Sequence, residues 1–163
     1  MRVPDPVPFF RTRLLTAERP IRYLALCLAL DLPVTAGMNI LSGAGSPSFT
    51  GHSLWGVFLV MCVAVAFIET MVLVAVIEVL RLAVRAPGWV ALLAAVIAGG
   101  LHSLAVPGWG AIIGWAFFLQ ALCYLTWQSR SWIAGVAMTC ALHGAHNLLP
   151  TLLLALERSR ATP

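Results

Sequence analysis

Four polar side chains stand inside stretches of the chain that are otherwise apolar: Glu69, His102, His143 and Asn147. Ionisable groups inside a lipid bilayer cost free energy, so their presence in such stretches indicates a functional site. A carboxylate can accept a proton from water and return it, and imidazole or amide N–H groups can stabilise an oxyanion. These residue types therefore suit hydrolysis of a peptide bond without a covalent intermediate.

The spacing of these residues predicts that they lie at one depth. Glu69 lies 16 residues before Arg85 and His102 lies 17 residues after it. In an antiparallel helical hairpin that turns near Arg85, the two side chains reach nearly equal depth. His143 and Asn147 are four residues apart and project from one face of a third helix. Three helices are thus predicted to contribute polar groups to one layer.

A metal site is the competing chemistry. Glu69, His102, His143 and His146 could give zinc one carboxylate and three imidazoles. However, the spacing of His143 and His146 is not the HExxH pattern, and no carboxylate is evident that would orient the imidazoles. The four cysteines form no CxxC pair and are expected to be small buried hydrophobic residues. We therefore expect no cofactor, with zinc as the less favoured alternative.

Other polar residues of the apolar stretches are predicted to have structural roles. His146 is expected to pack or to form a hydrogen bond, and Gln120 to join two helices. Asp31, close to Pro33 in the sequence, could cap a broken helix or pair with an arginine. Glu78 and Arg81 are three residues apart and are expected to form a surface pair.

The composition identifies the class of protein that must position these residues. Of 163 residues, 61% are hydrophobic and only 10% are charged, which excludes a soluble globular protein and a disordered one. The apolar runs are long and unbroken, unlike the alternating segments of about ten residues in a transmembrane β-barrel. The predicted fold is an all-α polytopic membrane helix bundle with about five transmembrane helices.

The predicted spans are separated by short segments rich in Gly, Ser, Pro or Arg. They run about Tyr23–Leu41, Leu54–Leu80, Trp89–Val106, Ala111–Trp127 and Trp132–Leu156. The predicted cavity lies between the second, third and fifth spans. Residues 1–22 are expected to form a cytoplasmic or interfacial arm, residues 23–156 the transmembrane domain, and residues 157–163 a C-terminal tail.

The arginines predict the orientation of the bundle. Cytoplasmic segments of membrane proteins carry an excess of Lys and Arg. Eight of the ten arginines fall before the first span or in the links after the second and fourth spans, and there are no lysines. Arg158 and Arg160 follow the fifth span and oppose this pattern. The balance predicts a cytoplasmic N-terminus.

Around the four polar residues the chain resembles the CPBP family of intramembrane endopeptidases, which comprises CAAX prenyl proteases and bacteriocin-processing (Abi) proteins. The signature of that family is a Glu-Glu-x-x-x-Arg run, a Phe-x-x-x-His and a His-x-x-x-Asn. The resemblance covers Phe67–Leu149, about half of the chain. Ile68-Glu69 stands at the first motif, Arg81–Leu104 resembles the second and Ala121–Leu149 resembles the third. The part similar to the family core is about 54–156.

Three positions depart from the signature of the family. Thr70 stands in place of the second Glu, Val74 in place of the Arg, and Ala98 in place of the Phe. The missing Glu and Arg would have formed an ion pair that supports the site. Their joint loss leaves no single buried charge without its partner.

The resemblance implies a role for each of the four polar residues. Glu69 would activate water, His102 would be its partner, and His143 with Asn147 would donate to the oxyanion. The implied enzyme is a glutamate-dependent intramembrane protease of the bacterial inner membrane, which cleaves a membrane-proximal or lipidated peptide. The alternative is a catalytically inactive relative that serves as a structural subunit or assembly factor of a larger membrane complex. A polar layer that binds a cofactor, pigment or metal is a weaker third hypothesis, and nucleic acid is not an expected partner.

Overall fold

The computed structural model describes residues 19–42 and 52–161, together with Pro6. Within this part of the chain the regular structure is entirely helical, in a sequence of five long helical stretches. They are α1 (Pro20–Ser42), α2 (Leu54–Phe58) continuing through a π-helical segment (Leu59–Val65) into α3 (Ala66–Ala83), α4 (Pro87–Ala105), α5 (Trp109–Trp127) and α6 (Trp132–Ala161). Most of the predicted N-terminal arm and the last two residues of the predicted tail lie outside the described residues.

The helices begin and end where local chemistry favours it. Pro87 occupies the first turn of α4, where its missing N–H leaves no carbonyl unsatisfied. Gly108, which has a φ of 88°, forms the left-handed turn between α4 and α5. The hydroxyls of Ser53 and Ser131 accept hydrogen bonds of 3.0 Å from Gly56 N and Ala134 N, and so cap α2 and α6.

Among the described residues, four stretches are long and apolar enough to cross a membrane: Pro20–Met38, Leu54–Ala83, Pro87–Ala105 and Trp109–Trp127. Helix α6 has 30 residues and is also long enough to cross a membrane, but it is less apolar because it carries His143, His146 and Asn147. Large apolar side chains such as Ile21, Leu82 and Leu104 are more than 80% exposed on the outside of the bundle. The predicted fold class, an all-α membrane helix bundle, is confirmed.

Two of the predicted spans differ from the structure in a way that affects the site. Helix α1 continues through Pro33, whereas the sequence predicted an interruption there. The carbonyl of Leu30, one turn before the proline, accepts a hydrogen bond of 3.1 Å from Trp115 Nε1 of α5. The second difference is the π-helical segment between α2 and α3, which the sequence did not predict. Such segments are uncommon and are found frequently at functional sites.

Helix α5 lies at the centre of the bundle. Most of its residues from Ala116 to Trp127 are buried, and they pack against α1, α3, α4 and α6. Its close contact with α4 depends on two glycines, because a Cβ on Gly99 would lie 2.5 Å from the carbonyl oxygen of Gly110. The central position of α5 brings its side chains to the polar layer.

At one end of the bundle a polar cluster joins α3 to α5. Arg81 binds Glu78 at 2.9 Å, as predicted, and also donates to Gln128 Oε1 at 2.8 Å. The hydroxyl of Tyr124 donates to the same Glu78 carboxylate at 2.7 Å. Glu78 and Arg81 are each 44% exposed, so the pair lies on the outside of the bundle rather than in its interior.

Candidate functional site

Glu69 lies near the start of α3 and contacts imidazoles from two other helices. Its Oε1 is 3.6 Å from His102 Nε2 of α4, and its Oε2 is 3.3 Å from His143 Nε2 of α6. The hairpin spacing and the depth of α6 placed these three residues in one layer, and the structure brings all three together. The Glu69 side chain is 33% exposed, so its carboxylate is accessible to a further partner.

The backbone fixes the orientation of the His102 ring. Its Nδ1 lies 2.8 Å from the carbonyl oxygen of Ala98, one turn earlier in α4. Because a carbonyl only accepts, Nδ1 carries the proton in this bond, and Nε2 is directed to Glu69. In the neutral ring, Nε2 is therefore an acceptor that faces another acceptor at 3.6 Å. A donor between the two atoms, such as water, satisfies both.

His143 is more deeply buried than His102. Its side chain is only 4% exposed, and its Nδ1 has no hydrogen-bond partner among the described residues. Both imidazoles pack against Phe117 of α5, with ring centroids 5.3 Å away for His102 and 5.6 Å for His143. Phe117 thus occupies the space between the two rings and restricts their rotation.

Asn147 is one turn beyond His143 and contacts the π-helical segment. Its Nδ2 donates to the carbonyl oxygen of Met61 at 2.8 Å. Helix α6 and the π-helical segment approach closely there, since a Cβ added to Gly144 would lie only 2.6 Å from the Cys62 carbonyl oxygen. An amide group has two N–H donors, so one remains for a ligand in the cavity. Asn147 lines the same cavity as Glu69.

His146 and Asp31 form a second carboxylate–imidazole pair. His146 Nδ1 is 2.5 Å from Asp31 Oδ2, and Thr35 donates to the other carboxylate oxygen at 2.9 Å. Asp31 is buried, with 3% of its side chain exposed. The prediction that His146 forms a hydrogen bond is confirmed. The partner of Asp31 is a histidine, whereas the sequence suggested a cap or an arginine.

The metal alternative required His146 beside Glu69, His102 and His143. In the structure His146 binds Asp31 instead. Among the described residues, no group of three or more His, Cys, Asp or Glu side chains is arranged to hold a metal ion. The four residues that the sequence suggested as zinc ligands are therefore not brought together.

A cavity of about 340 Å³ contains the polar layer. Its polar lining residues include Glu69, His102, His143, His146 and Asn147. The predicted cavity lay between the second, third and fifth spans, but α5 and α1 also contribute to its wall. The residues from these two helices are Trp109, Ile112, Ile113, Ala116, Phe117, Gln120 and Thr35. The sequence did not predict that α5 lines the cavity, because no residue of that span indicated how its depth compares with that of the other helices.

Gln120 and Thr70 are buried near the layer without the partners expected of polar groups. Gln120 Oε1 and Thr70 Oγ1 form no hydrogen bond with the part of the chain that is described. Thr70 is fully buried and Val74, one turn later, is 4% exposed. The positions at which the family signature has a Glu and an Arg are thus buried.

Two contributors to the site were missed by reasoning from the sequence. Phe117 holds both imidazoles, and the carbonyl of Met61 binds Asn147. The pair Phe117-Phe118 in the middle of an apolar span was a weak signal for the first. A backbone carbonyl has no signal in the sequence, because every residue has one.

The chain was compared with known proteins at three levels. Neither the models of protein families, nor the curated proteins, nor the solved structures gave a match.

Proposed function

We propose that this protein is a glutamate-dependent intramembrane endopeptidase of the CPBP type. The observation that carries the proposal is the position of Glu69, whose carboxylate lies 3.3 and 3.6 Å from two imidazoles on the wall of a cavity. The proposal places the protein in a bacterial inner membrane with its N-terminus in the cytoplasm. Its substrate is a membrane-proximal peptide, with or without a lipid anchor.

The proposed first step is attack by water. A water molecule donates one hydrogen to Glu69 Oε1 and the other to His102 Nε2, the two acceptors that face each other. Glu69 accepts a proton as the water oxygen attacks the carbonyl carbon of the scissile bond. The product of this step is a tetrahedral intermediate with a negative oxygen.

The proposed second step is collapse of that intermediate. The free N–H of Asn147 donates to the oxyanion, and such a donor contributes about 3–4 kcal/mol to transition-state stabilisation in related chemistry. Glu69 then returns its proton to the nitrogen of the leaving amine. One peptide bond and one water are consumed, and one carboxylic acid and one amine are released. The resemblance implied that His143 also donates to the oxyanion, but its Nε2 faces Glu69 Oε2 at 3.3 Å, so in this proposal His143 keeps the carboxylate in position.

The second candidate function, an inactive relative in a larger membrane complex, is favoured by one observation. Thr70 and Val74 are buried where the family signature has a Glu and an Arg. A site without this supporting pair loses one means of orienting Glu69. This hypothesis predicts stable co-purification with a defined complex from native membranes, unaffected by substitution of Glu69.

The experiment measures peptide hydrolysis by the purified protein in proteoliposomes. Two fluorogenic substrates cover the proposed classes, a farnesylated peptide that ends in a Cys-a-a-X motif and a leader-bearing peptide with an apolar segment. We expect cleavage of at least one. Glu69→Gln and His102→Ala should each reduce turnover by about 10²–10⁴-fold, which is the usual contribution of a general base.

Glu78→Gln is the matched control, since Glu78 lies on the same helix at the membrane surface and outside the cavity. It should retain the turnover of the parent protein. Helicity and the thermal midpoint of each variant establish that it is folded. Full activity of Glu69→Gln, or absence of cleavage by a folded parent protein, contradicts the proposed function.

A further inference from the structure

The cavity occupies only one half of the bundle. We call the end that carries Arg81, Arg85 and Arg130 the arginine end, and the opposite end the far end. On the helical stretch from α2 to α3, the residues that line the cavity run from Glu69 back to Val57, which lies toward the far end. Of the described residues of α4, only His102 lines it, three residues before the end of that helix.

The other two helices show the same asymmetry. On α5 the lining residues begin at Trp109, the first residue of the helix, and on α6 they extend from His143 to Glu157. Glu157 is exposed, so the cavity reaches the surface of the protein at the far end. The residue nearest to the arginine end is Gln120, which is buried. The cavity is therefore closed toward the arginine end.

The arginines relate these two ends to the two sides of the membrane. Arg158 and Arg160 lie at the far end, but the other eight arginines belong to segments predicted at the arginine end, and by this balance the positive-inside pattern assigns the arginine end to the cytoplasm. We propose that the active site is reached from the non-cytoplasmic side, and that its substrate is an apolar peptide segment presented from that side. The identification of a peptide as the substrate rests on the proposed function, whereas the side of access does not.

The depth of the site limits the length of such a segment. His143 and Glu157 are 14 residues apart on one helix, which corresponds to about 21 Å at 1.5 Å per residue. An extended peptide covers about 3.3–3.6 Å per residue, so about six residues must enter before a scissile bond meets Glu69. The side chains of Ile112, Ile113 and Leu154 along this path favour apolar substrate residues. The substrate is thus a membrane-anchored or exported peptide with an apolar stretch of that length.

Cysteine accessibility tests this proposal without any need for activity. Cys62 and Cys140, which are partly exposed, are replaced by alanine, and the buried Cys27 and Cys123 are kept. Into this background Ile113→Cys and Leu154→Cys are introduced separately as cavity reporters. Ser129→Cys reports on the arginine end, where Ser129 is exposed. The probe is a cationic, membrane-impermeant methanethiosulfonate, applied to spheroplasts and to inside-out vesicles from a bacterial host.

In spheroplasts we expect both cavity reporters to react at least tenfold faster than Ser129→Cys, and in inside-out vesicles the reverse order. Reaction of the cavity reporters only from the side that labels Ser129→Cys overturns the proposal, as does their failure to react from either side. An inverted orientation, with Ser129→Cys labelled in spheroplasts, overturns it too. Accessibility from outside combined with full activity of Glu69→Gln would leave this inference standing and remove the proposed protease function.

Discussion

Two carboxylates inside the bundle are each paired with imidazole, yet their surroundings differ. Asp31 has 3% of its side chain exposed and lies 2.5 Å from His146. Glu69 has 33% exposed and lies 3.3 and 3.6 Å from His143 and His102. The first pair is a direct hydrogen bond to a buried carboxylate, whereas the second group has longer contacts and lies on the wall of a cavity.

This difference separates a carboxylate whose partners are all within the protein from one that faces a cavity. The oxygens of Asp31 are already bound by Thr35 and His146, so the carboxylate is satisfied and holds α1 against α6. Glu69 Oε1 and His102 Nε2 are 3.6 Å apart, and both residues line the cavity. By residue type the two carboxylates are alike, since each is an acidic residue in an apolar span, and in the sequence only the depth that Glu69 shares with His102 and His143 sets it apart. Burial and partner distance distinguish them.

The largest effect on the free energy of unfolding is expected when the Asp31 carboxylate is removed, and a smaller one when the Glu69 carboxylate is removed. Asp31→Ala removes the buried carboxylate that binds Thr35 and the half-buried His146, and loss of one partner from such a pair costs about 3–5 kcal/mol. Glu69→Ala leaves the buried His143 without its partner and should cost about 1–3 kcal/mol, which is less than Asp31→Ala because the Glu69 carboxylate is one third exposed and its contacts are longer. The free energy of unfolding of each variant in detergent micelles measures both values. Equal losses for the two variants would contradict the distinction.

The contact between α6 and the π-helical segment predicts the next effect. Gly144→Ala places a Cβ 2.6 Å from the Cys62 carbonyl oxygen, and such overpacking costs about 1–3 kcal/mol. A displacement of α6 from the π-helical segment would also disturb the hydrogen bond from Asn147 to Met61, and thereby the site around Glu69. Gly100→Ala is the control, since nothing lies within 4 Å of its Cβ. It should be neutral or stabilising by up to about 1 kcal/mol, because alanine favours a helix. The same unfolding measurement applies, and similar values for both variants would exclude the close contact.

Much of the fold and of the polar layer could be predicted from the sequence, for physical reasons. Pro87 and Pro107 stop the helices, so the predicted spans agree with α4 and α5 within about two residues. The hairpin then fixes the relative depth of Glu69 and His102, since both distances are counted from the same turn.

What could not be predicted depends on how each helix is rotated. Depth along a helix follows from residue number, but the direction of a side chain depends on packing with its neighbours. Asp31 therefore had several possible partners, and Phe117 had no evident role. The π-helical segment reads LVMCVAV, an apolar run without a polar residue or a proline that would mark a change in helical pitch.

A smaller effect is expected from substitution of Phe117, which packs against both imidazoles that contact Glu69. Phe117→Leu removes the ring contacts with His102 and His143, and aromatic contacts contribute about 0.5–1.5 kcal/mol each beyond burial. Under the proposed function, looser imidazoles should lower kcat more than they change KM. Phe118→Leu is the control, because Phe118 is also buried on α5 but packs against Trp115. It should lose comparable stability with no change in kcat. An equal effect of both variants on kcat would show that Phe117 does not position the site.

The smallest expected effect concerns a third carboxylate, Glu78, which extends the comparison to the membrane surface. Its ion pair with Arg81 is 44% exposed on each side, and exposed pairs contribute about 0.2–1 kcal/mol. Glu78→Gln keeps an oxygen that accepts from the Tyr124 hydroxyl, so only the charge is lost. The unfolding free energy should fall by less than about 1 kcal/mol, and the difference should shrink at high salt because screening weakens the pair in the parent protein. A loss as large as that of Asp31→Ala, or one that salt does not change, would show that burial does not determine how much each of the three carboxylates contributes to stability.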